Sequence, residues 1–123
     1  MKKYAVRCPI SSYQCIMDGH WKPMIVWYLQ HQSLRFKDLL EVLPDISTKV
    51  LTEQLEELAK DNILQRISFR EVPPRVEYSL TPYGKTLLPV LTAIKGWGLN
   101  HLKKNPAILH KQSEWRKKLN AHR

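Results

Sequence analysis

Apolar residues between Phe36 and Leu43 recur at i, i+3, i+4 and i+7 (Phe36, Leu39, Leu40, Leu43), the spacing of a helix with one buried stripe. Pro44 stops it, because proline lacks the N–H that would continue the ladder. Leu51, Leu55 and Leu58 repeat the stripe in a following helix that runs to about Asp61, with Ser47 as its natural N-cap. Only Asp45-Ile46-Ser47 connects the pair, which is helix-turn-helix spacing, although the usual turn glycine is absent. Upstream, Met24, Val26, Trp27 and Tyr28 make a helix from Trp21 to about His31 apolar on more than one side, with Pro23 tolerated in its first turn, so it belongs at the centre. Ahead of that, Ser11 or Ser12 caps a short first helix ending near Gly19.

The period changes after Asn62. Ile63, Ile67 and Phe69 alternate in part, and Val76, Tyr78 and Leu80 alternate cleanly with Arg75, Glu77 and Ser79, predicting two antiparallel strands around the loop Arg70-Glu71-Val72-Pro73-Pro74. Thr81-Pro82 restarts a helix as N-cap and first residue; Leu87, Leu91, Ile94 and Trp97 give it an apolar face reaching Leu102, with a kink expected at Pro89. The predicted fold is mainly α with a small β-hairpin, the order of a winged helix-turn-helix with flanking helices. It occupies residues 1–104. Residues 105–123 form a basic extension in which Ala107 to Leu119 can make one more helix, anchored by Ile108, Trp115 and Leu119.

The length of 123 residues fits one core, and 43% hydrophobic with 25% charged residues is ordinary globular usage. The net charge of +9 changes the picture, since it favours a polyanionic partner. Its distribution is uneven. Lys2, Lys3 and Arg7 put three positive charges on the first seven residues, residues 8 to 100 balance ten basic against ten acidic side chains, and the last 23 residues hold seven basic groups against Glu114. A nucleic-acid surface in the middle must therefore arise from local arrangement, with the ends adding sequence-independent phosphate attraction.

No apolar run reaches the roughly 20 residues that cross a bilayer, and the first residues lack a secretory core, so a cytoplasmic protein with no membrane partner is expected. Cys8 and Cys15 are too few for a disulfide framework or a four-thiolate site, and the five histidines show no metal spacing. No metal or cofactor is expected. Asp18, His20 and Lys22 are close in sequence, but they straddle a helix boundary and nothing completes an acid–base pair, so no enzyme is predicted.

Several motifs occur in order: Gly19-His20-Trp21-Lys22-Pro23, Arg35-Phe36, Ile46-Ser47 with Leu51-Thr52, Arg66 followed by Glu71-Val72-Pro73-Pro74-Arg75-Val76-Glu77-Tyr78, and Leu80-Thr81-Pro82-Tyr83-Gly84. Over about residues 8 to 104 the chain resembles the HxlR-type, MarR-like family of bacterial winged-helix transcription regulators, with Gly-His-Trp standing where that family more often has Gly-Lys-Trp. The resemblance implies a homodimer, with the long helix and the terminal helices at the interface, bound to an inverted-repeat operator in double-stranded DNA.

A helix-turn-helix reads base edges with the first turns of its second helix, which here offers Ser47, Thr48, Lys49 and Thr52. Glu56, Glu57 and Asp61 would repel phosphates, so only the N-terminal half of that helix can enter a groove. Arg70 and Arg75 flank the wing loop and can reach phosphates or a narrow minor groove, while Glu71 and Glu77 could instead pair with them and hold the loop. Arg35 and Lys37 are further phosphate-contact candidates. Cys8, at a helix mouth beside Lys2, Lys3 and Arg7, is a candidate thiol sensor, and it matches the N-terminal cysteine through which some HxlR-type regulators respond to electrophiles or oxidants. The expected function is a sequence-specific, repressing regulator responsive to thiol-reactive signals; the residues leave open a winged-helix interaction module that binds protein or RNA.

Overall fold

The computed structural model describes residues 8–107. Its elements run in the order α1 (Pro9–Ile16), α2 (Lys22–Tyr28), α3 (Phe36–Val42), α4 (Thr48–Lys60), β1 (Leu64–Phe69), β2 (Arg75–Leu80), α5 (Pro82–Lys85) and α6 (Leu88–Lys104). The order is that of a winged helix, but several boundaries differ from the sequence-based ones: α1 ends at Ile16 and α2 at Tyr28, short of the expected Gly19 and His31, because Met17 and Leu29 leave helical dihedrals. Helix α1 begins at Pro9 with an extended Cys8 as N-cap, ahead of Ser11 and Ser12, because proline's fixed φ and missing N–H suit a first helical position. The long C-terminal helix is two helices: residues 86 and 87 keep helical dihedrals, but Pro89 has no N–H for the Lys85 carbonyl, so the expected kink is a break one turn earlier. The basic extension beyond Ala107, with its expected helix, lies outside the described residues.

The core gathers where α2, α3 and α4 meet under the hairpin. Ile25, Val26, Leu39, Leu51 and Leu58 have no exposed surface, and Leu43, Leu55, Ile63, Leu64, Leu80 and Leu91 are nearly as buried. Ser47 caps α4 by accepting from the Val50 N–H at 3.1 Å. The tight α3–α4 turn finds its left-handed residue in Asp45, at φ +67°; a short polar side chain tolerates that region, so no glycine is needed.

The hairpin pairs Leu64 with Leu80 and Phe69 with Arg75 at its two ends. Leu34, in the segment between α2 and α3, adds one antiparallel bridge to Tyr78, with bonds of 3.0 and 2.8 Å, and Ser33 donates to Glu77 at 2.5 Å. The wing is therefore joined to the helix-turn-helix by backbone as well as by packing. On the far side of the hairpin, Thr81 accepts from the Gly84 N–H and donates to Asn62 O, drawing α5 against the start of β1. A Cβ on Gly84 would lie 1.9 Å from the Ile63 carbonyl oxygen, which is why this position has none.

Among the described residues, one charge is inside. Lys22 is 2% exposed and donates to Asp18 Oδ1 at 2.7 Å and Glu57 Oε1 at 2.5 Å. Burial pulls its pKa down, but the bonds to Asp18 and Glu57 outweigh that and raise it above the ordinary lysine value. The contribution of the charged lysine is thus present throughout the neutral range and is lost as pH rises through the raised value.

Three outcomes are expected in thermal or denaturant unfolding. Gly84→Ala should cost about 1–3 kcal/mol or more, since backbone must move. Lys22→Met should change stability by no more than about 1 kcal/mol because its two carboxylates reach water, whereas Asp18→Asn combined with Glu57→Gln should cost about 3–5 kcal/mol by stranding the buried ammonium.

Candidate nucleic-acid interface

The face built by α4 and the wing starts from how α4 divides its circumference. Leu51, Leu55 and Leu58 are buried, and Ser47, Thr48, Lys49 and Thr52 are exposed at its N-terminal end. That end also carries the unsatisfied N–H groups and positive dipole of a thirteen-residue helix. Ser47 uses its oxygen lone pair as the cap, which leaves its hydroxyl proton available to donate. Thr52 donates its hydroxyl to Thr48 O at 2.9 Å, so it offers an approaching base lone pairs and a methyl group. Glu53 and Glu56 are exposed further along, the acidic half expected from the sequence.

Arg35 and Lys37 open α3, exposed; Arg35 caps with its backbone, whose N–H donates to Asp38 Oδ2 at 3.0 Å, leaving the guanidinium outside. At the wing the two arginines part company. Arg70 is exposed just past the end of β1, and no ion pair holds its guanidinium among the described residues. Arg75 is held on three sides: Nη2 lies 3.3 Å from Glu71, Nε 3.4 Å from Glu77, and its guanidinium carbon 4.0 Å above the Phe69 ring. The holding arrangement considered for Glu71 and Glu77 is therefore present at Arg75. Between the two arginines Val72 is fully exposed at the tip, beside exposed Pro73 and Pro74.

Away from this face, Cys8 is exposed and Cys15 buried. The backbone N–H groups of Ser11 and Ile10 at the open first turn favour the thiolate and lower the Cys8 pKa below the ordinary thiol value. Cys8 caps the helix that carries Cys15, and seven residues of helical rise separate the two by about 10.5 Å, which is too far for a disulfide within a chain. Helix α6 packs on α2 through Leu91, with Lys95 Nζ 5.3 Å from the Trp27 ring. One side of α6 exposes Val90, Ile94 and Trp97, and α1 exposes Ile10. An open groove of about 700 Å³ lies between α2, α3 and α6, lined by Trp27, Tyr28, His31 and Lys95 among others.

Lys22 is the residue that sequence reasoning passed over. It stood within the Gly-His-Trp-Lys-Pro motif and, beside Asp18 and His20, in a group set aside as non-catalytic; the available signals were Asp18 four residues before it and a glutamate flanking the leucine stripe of α4.

The HxlR-like helix-turn-helix model matches residues 16–106. The HTH-type transcriptional regulator YdeP of Bacillus subtilis (strain 168) is 40% identical over 91 residues, 74% of this chain and 71% of its own. YtcD from the same organism is 36% identical over 102 residues, 83% of this chain and 81% of its own. Its crystal structure aligns with a TM-score of 0.75 over 78% of this chain and 98% of that one, at 36% identity. The redox regulator HypR in its oxidized form aligns at 0.73 with 36% identity, over 76% of this chain and 96% of its own. With the family match spanning α2 to α6 and the winged-helix order intact, this chain belongs to the HxlR-like helix-turn-helix family of DNA-binding transcription regulators.

Proposed function

We propose that the protein acts as a homodimer on an inverted-repeat operator and represses transcription there, and that thiol-reactive or oxidising signals acting at Cys8 relieve that binding. The observation that carries the DNA part is the division of α4: its leucine stripe is buried while Ser47, Thr48, Lys49 and Thr52 stand exposed around the positive end of the helix. Those four meet base edges and adjacent phosphates in the major groove. Arg70 reaches the flanking backbone, Arg75 stiffens the base of the wing from within its carboxylate pairs, and Arg35 and Lys37 add phosphate contacts. The exposed apolar residues Val90, Ile94 and Trp97 of α6, with Ile10 of α1, support a dimer face that would otherwise meet water. For the signal, the support is the lowered pKa of an exposed thiol and the likeness to HypR, which is named a redox regulator. Because the two cysteines of one chain are too far apart to bridge, oxidation joins Cys8 to a thiol of another molecule.

Selection of bound duplexes from a random DNA pool by the reduced protein tests the central claim. An inverted repeat with half-site centres about 34–36 Å apart is expected, and absence of any enriched sequence would remove the operator. On the selected site, Thr52→Ala or Lys49→Ala should relax specificity at one position, at a cost of about 1–3 kcal/mol, while Arg70→Ala should weaken all sequences alike and lower the salt slope by about one. Alkylation of Cys8 should follow a titration below the ordinary ~8.5 of a free thiol, and Cys8→Ser should abolish release of the operator by diamide.

A further inference from the structure

Lys22 stands apart from the other charged groups of the described residues because its whole side chain is out of water, at 2% exposed, while its two partners are not: Asp18 is 25% and Glu57 50% exposed. Desolvating an ammonium to pair it with half-solvated carboxylates is a weak source of stability. What the arrangement supplies is direction. Asp18 lies in the turn that follows α1, Lys22 opens α2, and Glu57 belongs to α4, 35 residues further along the chain. One ammonium thus ties the recognition helix to the elements before it.

The tie bears on a motion that the leucines leave soft. A stripe of Leu51, Leu55 and Leu58 against an apolar wall opposes lifting of α4, yet such contacts are non-directional and repack for small rotations about the helix axis. At 3.6 residues per turn, Glu57 stands roughly 120° to one side of that stripe, with Thr48 and Thr52 about 60° and 100° to the other. Holding the Glu57 flank therefore sets where the opposite flank points. A roll of about 10° at a helix radius of about 5–6 Å carries a side chain about 1 Å, enough to turn a good hydrogen bond into none.

We infer that Lys22 is a positioning residue for DNA recognition: by joining Glu57 of α4 to Asp18 it fixes the roll of the recognition helix and so the aim of Ser47, Thr48, Lys49 and Thr52. The inference rests on the DNA-binding role proposed above for those four residues. It touches no DNA itself, and its signature is a loss of discrimination that stability does not explain.

The experiment uses the full chain and the duplex selected by the wild type, and compares affinity for that duplex with affinity for a scrambled one at a single salt concentration. Lys22→Met and Glu57→Ala should each reduce the specific to non-specific ratio about tenfold, and the double variant should lose no more than either alone, because one tie is lost once. The two single variants change net charge in opposite directions, so a shared loss of ratio is not a long-range electrostatic effect. Unchanged ratios in both, or losses that multiply in the double variant, would overturn the inference. If Lys22→Met melts several degrees low, Glu57→Ala decides alone, since it removes the α4 end of the tie and leaves the ammonium paired with Asp18: a reduced ratio supports the positioning role and an unchanged one refutes it. Should the wild type itself select no duplex, the DNA-binding proposal fails and this one with it, and the wild-type measurement alone tells the two failures apart.

Discussion

Burial of Leu51, Leu55 and Leu58 against Ile25, Val26 and Leu39 is the contact from which the rest of the molecule takes its place. It spends one face of α4 on the core and so decides which face remains. It also brings α2, α3 and α4 to a common centre, over which β1 and β2 close through Ile63, Leu64 and Leu80. Because the stripe recurs at helical spacing while Ser47 ends it with a cap, the helix arrives at the surface with its open N–H groups outward. The surface chemistry of α4 is thus what the core leaves over.

Charge then refines what packing has laid out. The described middle of the chain has no large excess of either sign, and its arrangement matters more than its sum. Acidic side chains occupy the later turns of α4, and two more at the wing are absorbed by Arg75. Basic and hydroxyl groups without such partners collect at the start of α4, the start of α3 and the end of β1. Lys22 is the exception, a cation turned inward, and it joins three segments that apolar contacts alone hold less exactingly.

Most of this order was legible because the signals are local. The stripes of α3 and α4, the Ser47 cap, the alternation of β2 and the Thr81-Pro82 restart each depend on residues within a turn or two of one another, and each appears where the pattern put it. The start of α1 was misplaced because two serines competed with a proline for the same helix end. The break before α6 needed knowledge of which carbonyl Pro89 deprives. Within the candidate site, exposure of the α4 residues followed from periodicity, but nothing local distinguished Arg70 from Arg75; that depended on Phe69 and two glutamates converging across a hairpin. The Lys22–Glu57 pair lies further from local logic still, since its two residues meet only after α2 and α4 have packed.

The bridge between Leu34 and Tyr78 has a mechanical consequence. A hairpin attached only at its ends can swing like a flap, whereas this one is stitched at mid-length to the segment that leads into α3, with Ser33 and Glu77 as a second stitch. The distance from the tip of α4 to the Arg70 loop then behaves like the opening of a locked caliper. A duplex that touches both jaws has to bring its own groove width to that opening, and the energy of that adjustment depends on base steps the protein never contacts.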